Sequence, residues 1–168
     1  YGTAGVGSSG HMASALLEKA GQFKGVHVPY KGGSTAVTDL LGGRLDFMAI
    51  NPLEVAGHVS SGSLRALAVL NKDGSRLLPQ VPTARSLGVD VQATVWWGLV
   101  APKGTPEAVV QALNAALNKA LTTPAVTQTL ADMGATPMGG TPAQFGSFIQ
   151  AETRQLGEVI RAADIRAD

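Results

Sequence analysis

A glycine-rich segment opens the chain, and its residue types and spacing are those of a loop that binds a charged group. The first twelve residues read YGTAGVGSSGHM, within which residues 5–10 match G-x-G-x-x-G. Such glycines let the backbone approach a ligand closely, and the free N–H groups at the start of the following helix attract an anion. The pattern therefore indicates either a dinucleotide site or a site for another anion.

Two enzyme motifs can be tested on the residues around this loop. A dinucleotide fingerprint needs an acidic residue about 20 positions further on to bind the ribose hydroxyls, and residues 21–33 contain no Asp or Glu. A nucleophile elbow requires G-x-S-x-G, but His11 stands where the last glycine is needed. We therefore predict an anion site. The alternatives are a purely structural turn and an enzyme domain that binds a nucleotide cofactor through GVGSSG.

Two further loops follow expected strands and repeat the arrangement. The segment PYKGGS contains glycines before a helix, and Lys31 adds a positive charge to it. Asn51 follows the apolar run at residues 46–50 and offers both a donor and an acceptor. Each loop alone is also typical of a solvated turn. Because ligands of open parallel sheets bind at the carboxyl ends of strands, the three loops together predict a site for a small organic acid.

The composition argues against several other functions. The chain has 13 basic and 12 acidic residues without a basic stripe, so nucleic acid is not an expected partner. It has no cysteine, and its three histidines lack metal-ligand spacing. Because no Asp or Glu pair has the spacing for acid–base catalysis either, we predict no metal, cofactor or catalytic residue. His11 is close enough to the first loop to touch an anion, with packing as the alternative, whereas His27 and His58 are interpreted as structural.

Strands and helices alternate over the first hundred residues, which predicts an α/β fold with a parallel-rich sheet. Strands are expected at residues 26–28, 46–50 and 67–70, with a strand-like segment at 91–101. Capping residues predict a first helix that begins after Ser8 or Ser9 and ends at Gly21, and a second that begins at Ser34. The chain begins at Tyr1 without an initiator Met or a signal-peptide pattern, which indicates a processed or truncated piece.

Only helices are expected after Thr105. Three Thr-Pro pairs, at residues 105–106, 123–124 and 141–142, each place a hydroxyl at an N-cap and a proline at the first helical position. Apolar residues then recur at helical spacing from Val109 and again from Phe145. These two stripes need a surface to cover.

The chain resembles the receptors of the tripartite tricarboxylate transporter system, the Bug-type periplasmic solute-binding proteins. The resemblance runs from Tyr1 to about Ile165 through YGTAGVGSSGHMA, VHVPYKGGSTAVTDLLGGRLDFM, LRALAVLNKDGSRLLPQVPTARSLG, WWGLVAPKGTP and ADMGATPMGGTPAQFGSFIQAE. It implies a periplasmic-binding-protein type II-like fold of two α/β lobes joined by crossover strands. It also implies that a small carboxylated solute is held between the lobes and delivered to membrane components of the transporter without chemistry.

The resemblance further implies which residues face the ligand, because three loops do so in that family. Carried over, these are Thr3, Ala4, Gly5, Gly7, Ser8, Ser9, Lys31, Gly32, Gly33 and Asn51. The family often has an acidic residue near the position of Asn51.

The resemblance also implies a division of the chain. Family members carry a signal peptide and the first half of lobe one before this point, so residues 1–98 are expected to form the second ligand-binding lobe. Residues 99–168 are then the crossover strand and the C-terminal helices that return to an incomplete first lobe. The stripes at Val109 and Phe145 predict a partner, either the missing lobe-one segment or a second copy of the chain. A fragment that serves only interaction or sensing is a third functional alternative.

Overall fold

The computed structural model describes residues 1–166, and the chain divides into two compact units. The first unit is Tyr1–Val95 together with the C-terminal residues from Leu156, and the second is Trp96–Gln155. All three candidate loops belong to the first unit. Among the described residues, no helix combines the length and the apolar character needed to cross a membrane.

Three parallel segments of backbone form the centre of the first unit. Strand β1 (Gly2–Thr3) pairs with β2 (Val28–Pro29), with Gly2 opposite Val28. On its other side Gly2 forms an isolated parallel bridge to Met48 and donates to the Phe47 carbonyl at 3.3 Å. β1 therefore lies in the middle, between β2 and the segment at Met48.

A helix follows each of these three segments. Helix α1 (Ser9–Gly21) follows β1, α2 (Gly33–Leu41) follows β2, and α3 (Pro52–Ser60) follows the Met48 segment. A short 3₁₀ turn at Arg85–Leu87 comes later in the same unit. The apolar side chains that are buried around β1 and these helices are Tyr1, Met12, Ala13, Ala15, Ala36, Val37, Leu45 and Val55.

The second unit is helical. It contains α4 (Glu107–Leu121), α5 (Pro124–Asp132) and the part of α6 (Pro142–Ala162) up to Gln155. The indole N–H of Trp96 donates to Glu152 at 3.1 Å, and the ring lies edge-on to Phe148 with centroids 5.2 Å apart. These contacts fix the residues before α4 against α6 within the unit.

Three of the expected strands are absent from the described residues. Residues 46–50 contribute only the bridge at Met48, residues 67–70 contribute only a bridge between Val69 and Thr83, and residues 91–101 contain no strand. An apolar, β-branched run becomes a strand only when a neighbouring backbone pairs with it. Each run lacks enough paired backbone within the described chain.

The helix boundaries agree with capping chemistry in part. Thr141 caps α6, which begins at Pro142, as predicted. Thr123 directly precedes α5, which begins at Pro124, but its hydroxyl donates to the Ala120 carbonyl and makes no cap bond. α4 begins one residue late, at Glu107, without a side-chain cap. The prediction that Ser34 begins α2 was wrong, because Gly32 is the N-cap and α2 starts at Gly33. α1 ends at Gly21 as predicted, although its left-handed cap is the next residue, Gln22, with φ 51°.

Candidate functional site

Three loops lead from the parallel segments into the helices of the first unit. Loop 1 is residues 4–8, loop 2 is residues 30–32 and loop 3 is residues 49–51, and they precede α1, α2 and α3 respectively. Because the three segments are parallel and adjacent, all three loops leave from the same edge. The predicted site residues are therefore brought to one side of the unit.

Loops 1 and 2 are held together by backbone contacts. The Tyr30 N–H donates to the Thr3 carbonyl at 3.0 Å, which extends the β1–β2 pairing into the loops. Gly5 has φ +134°, and a Cβ built on it would lie 3.4 Å from the Tyr30 carbonyl oxygen. Glycine is needed at this position because other residues rarely adopt that backbone conformation.

Loop 3 meets the starts of α1 and α2 at two further glycines. A Cβ built on Gly10, in the first turn of α1, would lie 2.5 Å from the Ala49 carbonyl oxygen. A Cβ on Gly33, the first residue of α2, would collide with the Glu54 carboxylate and lie 3.5 Å from Ile50 Cδ1. The N-terminal ends of α1, α2 and α3 thus converge at the loop edge.

The three helix starts differ in how their free N–H groups are satisfied. The Ser8 hydroxyl accepts from the His11 N–H at 3.3 Å, and the Asn51 Oδ1 accepts from the Leu53 N–H at 3.0 Å. α2 has no such side-chain cap among the described residues. An uncapped helix start offers N–H donors and a partial positive charge to an anion. The exposed Lys31 side chain, one residue before the Gly32 N-cap, adds a full positive charge.

The predicted site residues differ in their access to a ligand. Ala4, Gly7, Ser9 and Lys31 are exposed, and Gly5, Ser8, Gly32, Gly33 and Asn51 are half-buried. The Thr3 side chain is fully buried, and its Oγ1 lies 2.6 Å from His27 Nε2 and donates to the Gly5 carbonyl at 3.1 Å. Thr3 supports loop 1 in this structure, and its direct contact with a ligand stays a prediction.

Comparison with known proteins shows the family. The sequence model described as "Tripartite tricarboxylate transporter family receptor" matches residues 1–165. The chain belongs to this receptor family. BugT of Bordetella pertussis is 39% identical over 157 residues, which are 93% of this chain and 48% of BugT.

Three solved structures share the fold of this receptor chain. An R. palustris protein with adipate gives a TM-score of 0.88 at 30% identity over 98% of this chain and 56% of its own. MatC of Rhodopseudomonas palustris with bound malate gives a TM-score of 0.79 at 30% identity, over 95% of this chain and 55% of MatC. The periplasmic binding protein BugD gives a TM-score of 0.85 at 28% identity, over 99% of this chain and 57% of BugD. This chain spans about half the length of these proteins.

These matches decide several of the predictions from the sequence. The Bug-type resemblance is confirmed, and so is an α/β fold of the periplasmic-binding-protein kind. The matched proteins are solute-binding receptors, in agreement with a binding role rather than catalysis, and no match supports a nucleotide-dependent enzyme. The sheet of the described residues is smaller than expected, with two strands.

Two groups beside the loops of the receptor chain were not selected as ligand residues from the sequence. Glu54 lies at the start of α2, and the only signal for it was the acidic residue that the family often has near Asn51. His27 was interpreted as structural, and its ring stacks on His11 with centroids 3.8 Å apart. Burial lowers the pKa of both histidines, although the Glu18 carboxylate opposes this shift.

The chemistry available at the loops is that of binding. The Ser8 hydroxyl accepts from a backbone N–H, and no side-chain base is hydrogen-bonded to Ser8 or Ser9 in residues 1–166. Within the same residues, no group of three metal-ligating side chains is found. Backbone N–H groups, hydroxyls and one lysine are suited to holding a carboxylate.

Proposed function

We propose that this chain binds a small organic acid anion as part of a periplasmic receptor that serves a tripartite tricarboxylate transporter. The observation that carries the proposal is the convergence of three helix starts at one edge, where α2 has no side-chain cap and is preceded by Lys31. The Glu54 carboxylate beside Gly33 opposes an anion at the start of α2, and the Lys31 charge offsets this repulsion. The adipate and malate bound to two related structures are both dicarboxylates, which supports the same ligand class here. The proposed contacts are those predicted in loops 1, 2 and 3.

The strength of these contacts indicates that one lobe binds weakly. A helix start contributes about 0.3–1 kcal/mol to anion binding and a hydrogen bond to a charged group about 1.5–3 kcal/mol. Three or four such bonds, less the cost of association, fall short of the roughly 8 kcal/mol that micromolar affinity requires. A second wall is needed, and we propose that residues 1–98 form one lobe of a two-lobed site.

The second unit supports a partner that completes such a receptor. Val109, Leu113 and Leu117 follow one another at four-residue spacing on α4, and they are 45%, 45% and 38% exposed. This stripe lies on one face of the helix. We propose that residues 99–168 belong to the other lobe, although the residues from Leu156 group with the first unit. We also propose that a further lobe-one segment or a second copy of the chain covers the stripe. Light scattering of the chain should show self-association, and a compact monomer at all concentrations would contradict pairing with a second copy.

The binding proposal is tested by titration of the ¹⁵N-labelled chain with adipate, malate and NAD. Because weak binding still shifts amide resonances, we expect the carboxylates to shift those of loops 1 and 2. Saturable shifts with NAD and none with either carboxylate would favour the nucleotide-binding alternative.

A pair of lysine variants sharpens this test. Lys31 follows β2 at the loop edge, whereas Lys24 precedes β2 at its other end, and both are exposed. Lys31→Gln should weaken malate binding several-fold because it removes the charge beside the uncapped helix. Lys24→Gln is the matched control and should bind as the parent chain does. Equal affinities in both variants would remove Lys31 from the site.

A further inference from the structure

Two stacked histidine rings support loop 1, His11 directly and His27 through Thr3. The centroids of His11 and His27 are 3.8 Å apart at an interplanar angle of 26°. The Nδ1 atom of His11 accepts from the Gly7 N–H at 3.2 Å, and the Nε2 atom of His27 lies 2.6 Å from the Thr3 hydroxyl. Because that hydroxyl also donates to the Gly5 carbonyl at 3.1 Å, both rings hold the backbone of loop 1.

The bond from Gly7 fixes the protonation state of His11. A ring nitrogen that accepts a hydrogen bond carries a lone pair, so the His11 ring must be neutral with its proton on Nε2. An imidazolium has N–H groups on both nitrogens and would present a donor to the Gly7 donor. Protonation of His11 therefore breaks this bond and sets two donors against each other.

The surroundings of the rings favour their neutral forms. Burial lowers the pKa of both, and a charge on His11 lowers that of His27 further. The Glu18 carboxylate on α1 opposes this shift for both rings. The Tyr1 phenol ring also stacks on His27, with ring centroids 5.3 Å apart. A second proton on rings this close is opposed by repulsion between like charges.

We propose that His11 is a positioning residue, which holds loop 1 in its binding geometry when neutral and releases it when protonated. His27 supports the loop through Thr3 in either protonation state, because its Nε2–H donates to the Thr3 hydroxyl in both. This inference rests on the proposed function, because it concerns the affinity of loop 1 for a carboxylate. A histidinium that contacted the anion directly would have the opposite effect, since a cation in loop 1 would strengthen carboxylate binding on acidification. The sign of the pH dependence therefore distinguishes positioning from direct contact.

The key variant is His11→Asn. The Asn side-chain oxygen takes a place close to that of Nδ1 and accepts from Gly7, but it does not titrate. His11→Leu removes the acceptor. His58→Asn is the matched control because His58 lies on α3 and makes no hydrogen bond to loop 1 among the described residues. Protonation of the ligand itself affects all variants alike and cancels in their comparison.

The affinity for malate, measured by titration of the chain at pH 7.5 and at a pH low enough for the NMR titration to show the His11 ring protonated, tests the proposal. Loss of one hydrogen bond predicts a fall of about three- to tenfold in the parent chain and in His58→Asn. The fall should be absent in His11→Asn after correction for ligand protonation, and His11→Leu should bind weakly at both pH values. An affinity that rises on acidification, or falls equally in His11→Asn, would overturn the proposal.

A measurement without ligand separates this inference from the proposed function. The amide resonance of Gly7 should move with the ring titration of His11, while that of Gly62, a glycine of similar φ at the far end of α3, should not. If the Gly7 amide resonance follows the His11 ring titration but no carboxylate binds, the proposed function fails and the coupling of the ring to loop 1 stands. If Gly7 does not follow the ring, the coupling fails even where carboxylates bind.

Discussion

The substitution Gly10→Ala should separate α1 from loop 3. Gly10 lies in the first turn of α1, where alanine would otherwise be favoured over glycine by roughly 0.8–1 kcal/mol. However, its Cβ would lie 2.5 Å from the Ala49 carbonyl oxygen, which is backbone and cannot rotate away. Overpacking of this kind typically costs about 1–3 kcal/mol. The helix start must shift, and the gap between loops 1 and 3 must widen.

Gly57→Ala provides the matched control. Gly57 also lies in a helix of the first unit, but a Cβ there would meet nothing within 4 Å. Its substitution should therefore raise the free energy of unfolding by roughly 1 kcal/mol. The free energy of unfolding of Gly10→Ala should lie about 1–3 kcal/mol below that of Gly57→Ala, and this difference is the cost of the collision alone.

The assay is urea unfolding followed by circular dichroism, with amide hydrogen exchange of α1 to report on the first unit specifically. In Gly10→Ala, exchange should also quicken at the first turn of α1, and the malate affinity should fall because loops 1 and 3 no longer meet correctly. If Gly10→Ala is stabilised as much as Gly57→Ala, the close approach of α1 to Ala49 is wrong, and with it the convergence of the helix starts.

Three further substitutions test the packing that supports the site and the second unit. Ser14→Ala should raise the free energy of unfolding by about 1 kcal/mol or more, because the Ser14 hydroxyl is buried and without a hydrogen-bond partner among the described residues. Ser147 is exposed, so Ser147→Ala is the control in urea unfolding, and its free energy of unfolding should rise by less. Thr141→Ala should cost about 1 kcal/mol because Thr141 and Gln144 cap α6 reciprocally at 3.2 and 2.8 Å, and thermal unfolding that leaves the transition unchanged would contradict this cap. Burial and the Glu18 carboxylate raise the pKa of the Tyr1 phenol to about 12. The neutral phenol should therefore add to the free energy of unfolding below the unfolded pKa of about 10, and this contribution should be lost as the pH rises toward 12. Tyr1→Phe should remove this part of the pH dependence, and tyrosinate absorbance should show the late titration.

Local chemistry allowed the starts of α1 and α6 to be predicted from the sequence. The Ser8 hydroxyl bonds an N–H three residues away, and Thr141 bonds Gln144 at the same spacing. Such contacts can be inferred from a short window of sequence. The start of α2 could not, because it depends on Gly32 at φ +121°, and sequence alone does not show that this glycine rather than Ser34 begins the helix.

Long-range contacts account for what the sequence did not predict. The segment at Met48 joins the parallel set through Gly2, which lies 46 positions earlier in the chain. His11 and His27 are on different elements, so their stacking depends on how α1 and β2 meet. A propensity for strand at residues 46–50 says nothing about which backbone will pair with them. The loop edge itself was predictable, because parallel segments bring their carboxyl ends together wherever they pair.

The glycine pattern of residues 5–10 is explained by backbone geometry without any cofactor. Gly5 permits the turn against Tyr30, Gly7 has φ +75° and donates to His11, and Gly10 lets α1 approach Ala49. A dinucleotide-binding loop requires its glycines for the same kinds of reason, a tight turn and a close helix approach. The match to that motif therefore reports how a strand, a loop and a helix meet. What binds there is determined by the groups around the loop. The start of α2 without a side-chain cap and the Lys31 ammonium favour a carboxylate, whereas the Glu54 carboxylate opposes one.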